Sequence, residues 1–227
     1  MQINPKAHAE QPDVLVVGGG SAGIGAAIGA ANAGARVVLV EQYGFLGGAA
    51  TQSGVHTLCG FYDRTGEQVV DGVGGQLLRS FAASGGMHRQ RMPESGNVVV
   101  LLDPETTKRV YDREVLGSGV EILLHSQVIH VEVESGAVRG VTVHHRGGLT
   151  TIRPRAVVDG SGDGVVVAGA GSATVPTDLS QRQFSTLVMH VGGVDADATL
   201  EASRLSSAIR DYAEAHHVSF PGTAASR

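Results

Sequence analysis

Short unbroken apolar runs alternate along this chain with stretches in which small and apolar residues recur at helical spacing. Residues 13–17 read Asp-Val-Leu-Val-Val, and residues 35–40 read Ala-Arg-Val-Val-Leu-Val. Runs of this kind, rich in β-branched side chains, predict strands buried on both faces of a parallel sheet. Between them, residues 21–33 are Ala-rich and predict a helix. Gly34 closes it, at the position where a left-handed backbone is favoured. Strand, helix and strand within about 30 residues make one βαβ unit.

The rest of the pattern extends this picture. Residues 74–83 predict a short amphipathic helix, and the polar stretch 86–97 predicts a surface loop. Asp103, Pro104 and Glu105 predict a capped helix running to about Leu116. Residues 120–124 predict another buried strand. Residues 128–134, 137–145 and 149–154 alternate between apolar and polar, with turns at Ser135-Gly136 and Arg146-Gly147-Gly148. They predict a three-stranded antiparallel meander. Residues 156–159 are again short and apolar and lead into Gly-Ser-Gly-Asp-Gly. A strand is predicted at 184–191 and a helix at 200–217. The fold class is α/β: a Rossmann-like parallel sheet, an antiparallel β-meander crossover and the start of a second, α+β domain.

Composition narrows the function classes. The 227 residues carry a net charge of -5, with 42% hydrophobic and 17% charged residues, so the chain has a core to bury and is no disordered tail. The acidic balance, few aromatics and absence of Trp leave no footprint for nucleic acid. A single Cys rules out an intrachain disulfide and a Cys-based zinc cluster. No apolar run approaches the roughly 18 residues needed to span a bilayer. No apolar segment follows the first Met, so the expectation is a soluble, cytoplasmic protein.

Candidate chemistry starts at Gly18-x-Gly20-x-x-Gly23, which follows a predicted strand and opens a predicted helix. Gly18 permits a tight turn, Gly20 lets backbone amides approach a pyrophosphate, and Gly23 allows close helix–strand packing. The helix N-terminus adds unsatisfied N–H groups and a partial positive charge for the anion. Glu41, at the end of the second strand, is placed to accept the hydroxyls of an adenosine ribose and disfavours a 2′-phosphate. The competing reading is a Gly-rich turn serving packing alone. Gly25 and Gly29, four apart, read as a smooth helix face lying close to the sheet.

Three stretches together resemble the FAD-dependent oxidoreductases of the glutathione-reductase-like superfamily. They are residues 13–51, ending Glu-Gln-Tyr-Gly-Phe-Leu-Gly-Gly-Ala-Ala-Thr, then 102–108 through 119–125, and the Asp-Gly-Ser-Gly-Asp-Gly segment at 159–164. Their order and spacing agree with that family over about residues 13–192. The resemblance implies a glutathione-reductase-like FAD-binding fold, with a tail at 1–12, an FAD-binding domain at 13–175 and the beginning of a substrate or interface domain at 176–227. It implies FAD as cofactor. Gly18, Gly20 and Gly23 would face the pyrophosphate, with Ser21 and Ala22 of the same turn. Glu41, followed by Gln42, would meet the adenosine ribose. Gly47, Gly48, Ala49 and Thr51 would run toward the flavin. Val128 would offer its backbone to the adenine edge, and Gly162 and Asp163 would close a loop beside the cofactor. Ser161 stands where the family usually has Thr.

The implied activity is hydride transfer from a small-molecule substrate to FAD. His56 is the first candidate for a general base, since histidine titrates near neutrality. His190 is the second. Cys59 reads as a small packed residue. His88, Arg89 and Arg91 form a basic cluster that reads as a solvated loop. No set of His and Cys has zinc spacing. The residues after 192 are too few to build a second core of their own. The expectation is therefore a second polypeptide that completes the enzyme as a hetero-oligomer, against the alternative of a truncated chain. Two further readings stand beside it: a non-catalytic FAD- or ADP-binding assembly subunit, and a thiazole-synthase-like dinucleotide-binding protein.

Overall fold

A computed structural model describes residues 11–92, 95–175, 177–182, 186–188, 192–193 and 202–218. In chain order its first unit runs β1 (Val14–Val17), α1 (Ser21–Asn32), β2 (Val37–Val40), β3 (Thr57–Leu58), α2 (Val73–Ala83), β4 (Met87–Arg91), β5 (Val98–Leu102), α3 (Pro104–Gly117), β6 (Glu121–Leu123), β7 (Gln127–Glu134), β8 (Ala137–His145), β9 (Gly148–Ile152), β10 (Ala156–Asp159) and α4 (Val165–Gly169). This unit ends at Val175, and a second unit follows it. The described helix of the second unit is α5 (Ala202–His216).

The apolar runs form one parallel sheet in the order β10-β1-β2-β6. Val14 pairs with Val37 on one side and with Ala156 on the other. Successive side chains of a strand point to opposite faces. Val16 and Leu39 therefore join Ile24, Ile28, Val110 and Tyr111 in a core on the helical face. Leu15, Val17, Val38 and Val40 join Val131, Val141, Val143 and Ile152 in a second core beneath the meander β7-β8-β9. Two buried faces explain why these strands are apolar throughout rather than alternating. Each fully buried Leu or Ile here contributes ~1.5–3 kcal/mol.

Caps and turns follow the predicted chemistry. Asp103 caps α3 by accepting from the Thr106 amide at 2.7 Å. Gly34 takes a left-handed φ of 87° just past α1. β9 stops at Ile152, short of Pro154, which cannot donate to the ladder.

The loop expected at 86–97 is corrected. Residues 87–91 form strand β4, antiparallel to β5, with Met87 opposite Leu102 and Arg91 opposite Val98. With β3 they make a separate sheet of order β3-β5-β4. β4 is an edge strand whose His88, Arg89 and Arg91 are exposed, so its polarity reflects an unshared edge and not a loop. Arg89 stacks over the Tyr62 ring at 5.1 Å, and Arg91 donates to the carbonyls of Arg64 and Gly96. Of the strand expected at 184–191, only residues 186–188 are described, and they lie in no strand. His190 lies outside the described residues. No described helix is long and apolar enough to cross a membrane.

Candidate functional site

The β1–α1 turn brings three backbones together. Gly18 adopts a left-handed φ of 95°, and its amide donates to the Val40 carbonyl at 2.8 Å. A Cβ at Gly18 would run into the Gly160 carbonyl, and one at Gly23 would run into the Gly18 carbonyl. Both glycines are thus required by close backbone packing. Gly20 differs, because a Cβ there would find its nearest neighbour, the Gly48 Cα, only at 3.9 Å. Gly20 is the N-cap of α1; no side chain caps that helix, and its first turn holds no acid. Its leading N–H groups and partial positive charge are therefore available to an anion.

In front of this turn opens a cavity of about 380 Å³. That volume falls within the ~300–1,000 Å³ typical of ligand pockets. It lies at the C-terminal ends of the parallel strands, where open α/β sheets bind ligands. Gly18, Gly20, Ser21 and Ala22 form one wall, and Glu41, Gln42 and Tyr43 follow β2 along another. Gly48 and Ala49 face the helix end, Ser126, Gln127 and Val128 bridge β6 to β7, and residues 160–163 close the side next to β10.

Two carboxylates hold these walls. Glu41 is 5% exposed, accepting from the Gly19 amide at 2.6 Å and from the Tyr43 amide at 2.8 Å. Its backbone accepts from Ser126, tying the β2 end to the β6–β7 link. Asp159 accepts from the Ser161 hydroxyl and from the amides of Val166 and Val167, which anchors the β10–α4 loop. Burial alone would raise the Asp159 pKa, but these bonds outweigh it and hold the carboxyl below its ordinary value.

The donor set fits a dinucleotide: an uncapped helix end for a pyrophosphate, a glycine-lined gap between Gly20 and Gly48, and a carboxylate at the end of the second strand. Residues 13–225 match the family described as FAD dependent oxidoreductase. The chain belongs to that family. FAD is accordingly its cofactor.

Among curated proteins, the digeranylgeranylglycerophospholipid reductase of Methanoculleus marisnigri is 24% identical over 206 residues, covering 82% of this chain and 47% of the relative. The chain therefore spans about half the length of that curated relative. Among solved structures, a geranylgeranyl bacteriochlorophyll reductase-like protein of Thermoplasma acidophilum matches with TM-score 0.51 at 22% identity, over 71% of this chain and 42% of that one. THI4 of Thermovibrio ammonificans matches with TM-score 0.51 at 20% identity, over 72% and 62%. At these identities the likeness is one of fold.

Of the residues singled out in the sequence, Gly18, Gly20, Ser21, Ala22, Glu41, Gln42, Gly48, Ala49, Val128, Gly162 and Asp163 line the cavity. Gly23, Gly47 and Thr51 do not. Gly23 lies beneath the turn, and Thr51 is buried with its hydroxyl donating to the Leu46 carbonyl at 2.7 Å. A Cβ at Gly47 would meet Thr51 Oγ1 at 2.5 Å, so this pair shapes the loop from behind.

His56 is half-buried just before β3, and its carbonyl accepts from the Leu102 amide. Its ring is close enough to Asp103 to help lower that carboxyl's pKa, after the larger effect of the Thr106 bonds. It does not line the cavity. Cys59 is exposed. No His, Cys, Asp and Glu group among the described residues could hold a metal ion. Tyr43, Ser126, Gln127 and Gly160 line the cavity without having been singled out. Their signal was positional: each sits just past the C-terminal end of β2, β6 or β10.

Proposed function

We propose that this chain is the FAD-binding portion of an oxidoreductase that takes a hydride from a small-molecule substrate. The observation that carries it is the cavity that joins an uncapped helix N-terminus to a buried Glu41 across glycine-lined backbone. The α1 end would hold the pyrophosphate through backbone amides. Glu41 keeps lone pairs free beyond its two amide bonds, and these would accept the ribose hydroxyls. Val128 and its neighbours would border the adenine. When bound, FAD supplies the acceptor for two electrons, and the protein's part is to bind, orient and shield it.

Further polypeptide would complete the substrate side. Among the described residues β10 pairs with β1 alone, leaving its other edge free, and Val158, Val165 and Val167 around it stay exposed. Parallel sheets are normally covered at such places. A second polypeptide covering this edge fits these features and would make the enzyme a hetero-oligomer.

The test is titration of the purified chain with FAD, followed by flavin fluorescence and the visible spectrum. The wild type should bind FAD and bleach on addition of a reductant. Gly20→Val, which puts a side chain into the gap facing Gly48, should abolish binding while leaving the fold intact by circular dichroism. A wild type that ignores FAD would sink the reading, and tight binding by Gly20→Val would sink the location.

A further inference from the structure

We propose that a second cavity, on the helical side of α1, binds an apolar group the size of a six-membered ring. It measures about 110 Å³, and Leu58, Phe61, Leu77, Leu78, Phe81 and Tyr111 supply most of its wall. Its side-chain polar groups are the Ser21 hydroxyl and the Tyr111 phenol, which lie next to each other. A water held in a cavity needs roughly two to four polar partners, whereas a dry apolar cavity of ~150 Å³ takes up benzene. The chemistry of this wall favours an apolar occupant.

Gly25 is the second observation. Gly23, two residues earlier, is glycine because the Gly18 carbonyl leaves no room for a Cβ. At Gly25 a Cβ would meet nothing within 4 Å. Glycine in a helix interior is destabilising relative to alanine, and no packing contact at Gly25 offsets that. What its bare backbone leaves is this cavity, which it lines. Gly29 is equally bare but lines neither cavity, so it serves as a control.

A planar ring suits the space better than a linear chain. Phe81 and Tyr111 already meet edge to face, with centroids 5.3 Å apart at 81°. Together with Phe61 they present ring faces and edges to a fourth aromatic group. Ser21 lines both cavities, so the occupant would sit one side chain from the turn assigned above to the pyrophosphate. Only that last placement rests on the FAD reading; the cavity itself does not.

The experiment titrates benzene into the full chain, with and without FAD, and follows the ¹³C-methyl signals of Leu58, Leu77 and Leu78. Those signals should move on titration, and Tm should rise. Gly25→Val should weaken benzene binding about tenfold or more, and Gly25→Ala, a milder change in a helix, should weaken it in the same direction. Gly29→Val should leave it unchanged. Unmoved methyl signals in the wild type, wild-type affinity in both Gly25 variants, or tighter binding of n-hexane than of benzene would each overturn the proposal. Failure of FAD binding leaves the methyl response standing, so the two readings fail separately.

Discussion

Glu41 is buried with each carboxylate oxygen taking one backbone amide. Glu41→Ala removes both acceptors at once and leaves the Gly19 and Tyr43 amides orphaned. The expected loss is about 1–3 kcal/mol of stability, read by chemical unfolding, together with a drop of about tenfold or more in FAD affinity. Glu41→Gln keeps one acceptor and should lose less of both. An Ala variant as stable as the wild type would show that water replaces these bonds. The glycines of α1 make a sharper pair. Gly23→Ala drives a Cβ into the Gly18 carbonyl, and roughly 3 kcal/mol or more should be lost. Gly29→Ala meets open space on the same helix and should gain ~1 kcal/mol. Equal Tm changes for the two would contradict the close contact at Gly23.

Between elements, the β10–α4 loop depends on one ionisation. Asp159 has a folded pKa below its ordinary 3.8, because the bonds from Ser161, Val166 and Val167 outweigh the opposing effect of burial. Its contribution is therefore present above 3.8 and lost as pH falls through the lower, folded value. Asp159→Asn should be less stable than the wild type at neutral pH, and the gap should narrow below 3.8, as measured by Tm across that range. A gap independent of pH would mean that the charge plays no part. The βαβ unit and the meander were legible because their residues answer to local rules: two-faced burial for β1 and β2, alternation plus Gly turns for β8. The β3-β5-β4 sheet was not, because β4 is polar along an open edge and only pairing with β5 makes it a strand. The glycine turn of the site was legible for the same local reason. The Gly20–Gly48 approach and the position of Tyr43 and Ser126 were not, since they arise where separate strand ends converge.

For the whole chain, the family match runs through residue 225, while the described contacts divide the chain after Val175. The β10 edge that no described strand pairs, and the exposed valines around it, give the proposed partner a measurable signature. The chain purified alone should bind an apolar dye such as ANS and should associate on size-exclusion chromatography. A co-purified second polypeptide should suppress both. A monomer that holds FAD and ignores the dye would speak against that partner.

The two strands that flank β1 in the parallel sheet enter at very different times. β2 follows β1 after a single helix, but β10 is made only after the whole meander. Long-range parallel pairing of this kind is slow to form. Until Asp159 emerges, the glycine turn has strand β2 on one side and nothing on the other, and the Gly160 backbone that packs on Gly18 does not yet exist. During synthesis the nascent chain therefore passes through a long interval as a sheet with a missing rail. With the nucleotide held at that turn as proposed, its loading would wait for translation to pass β10.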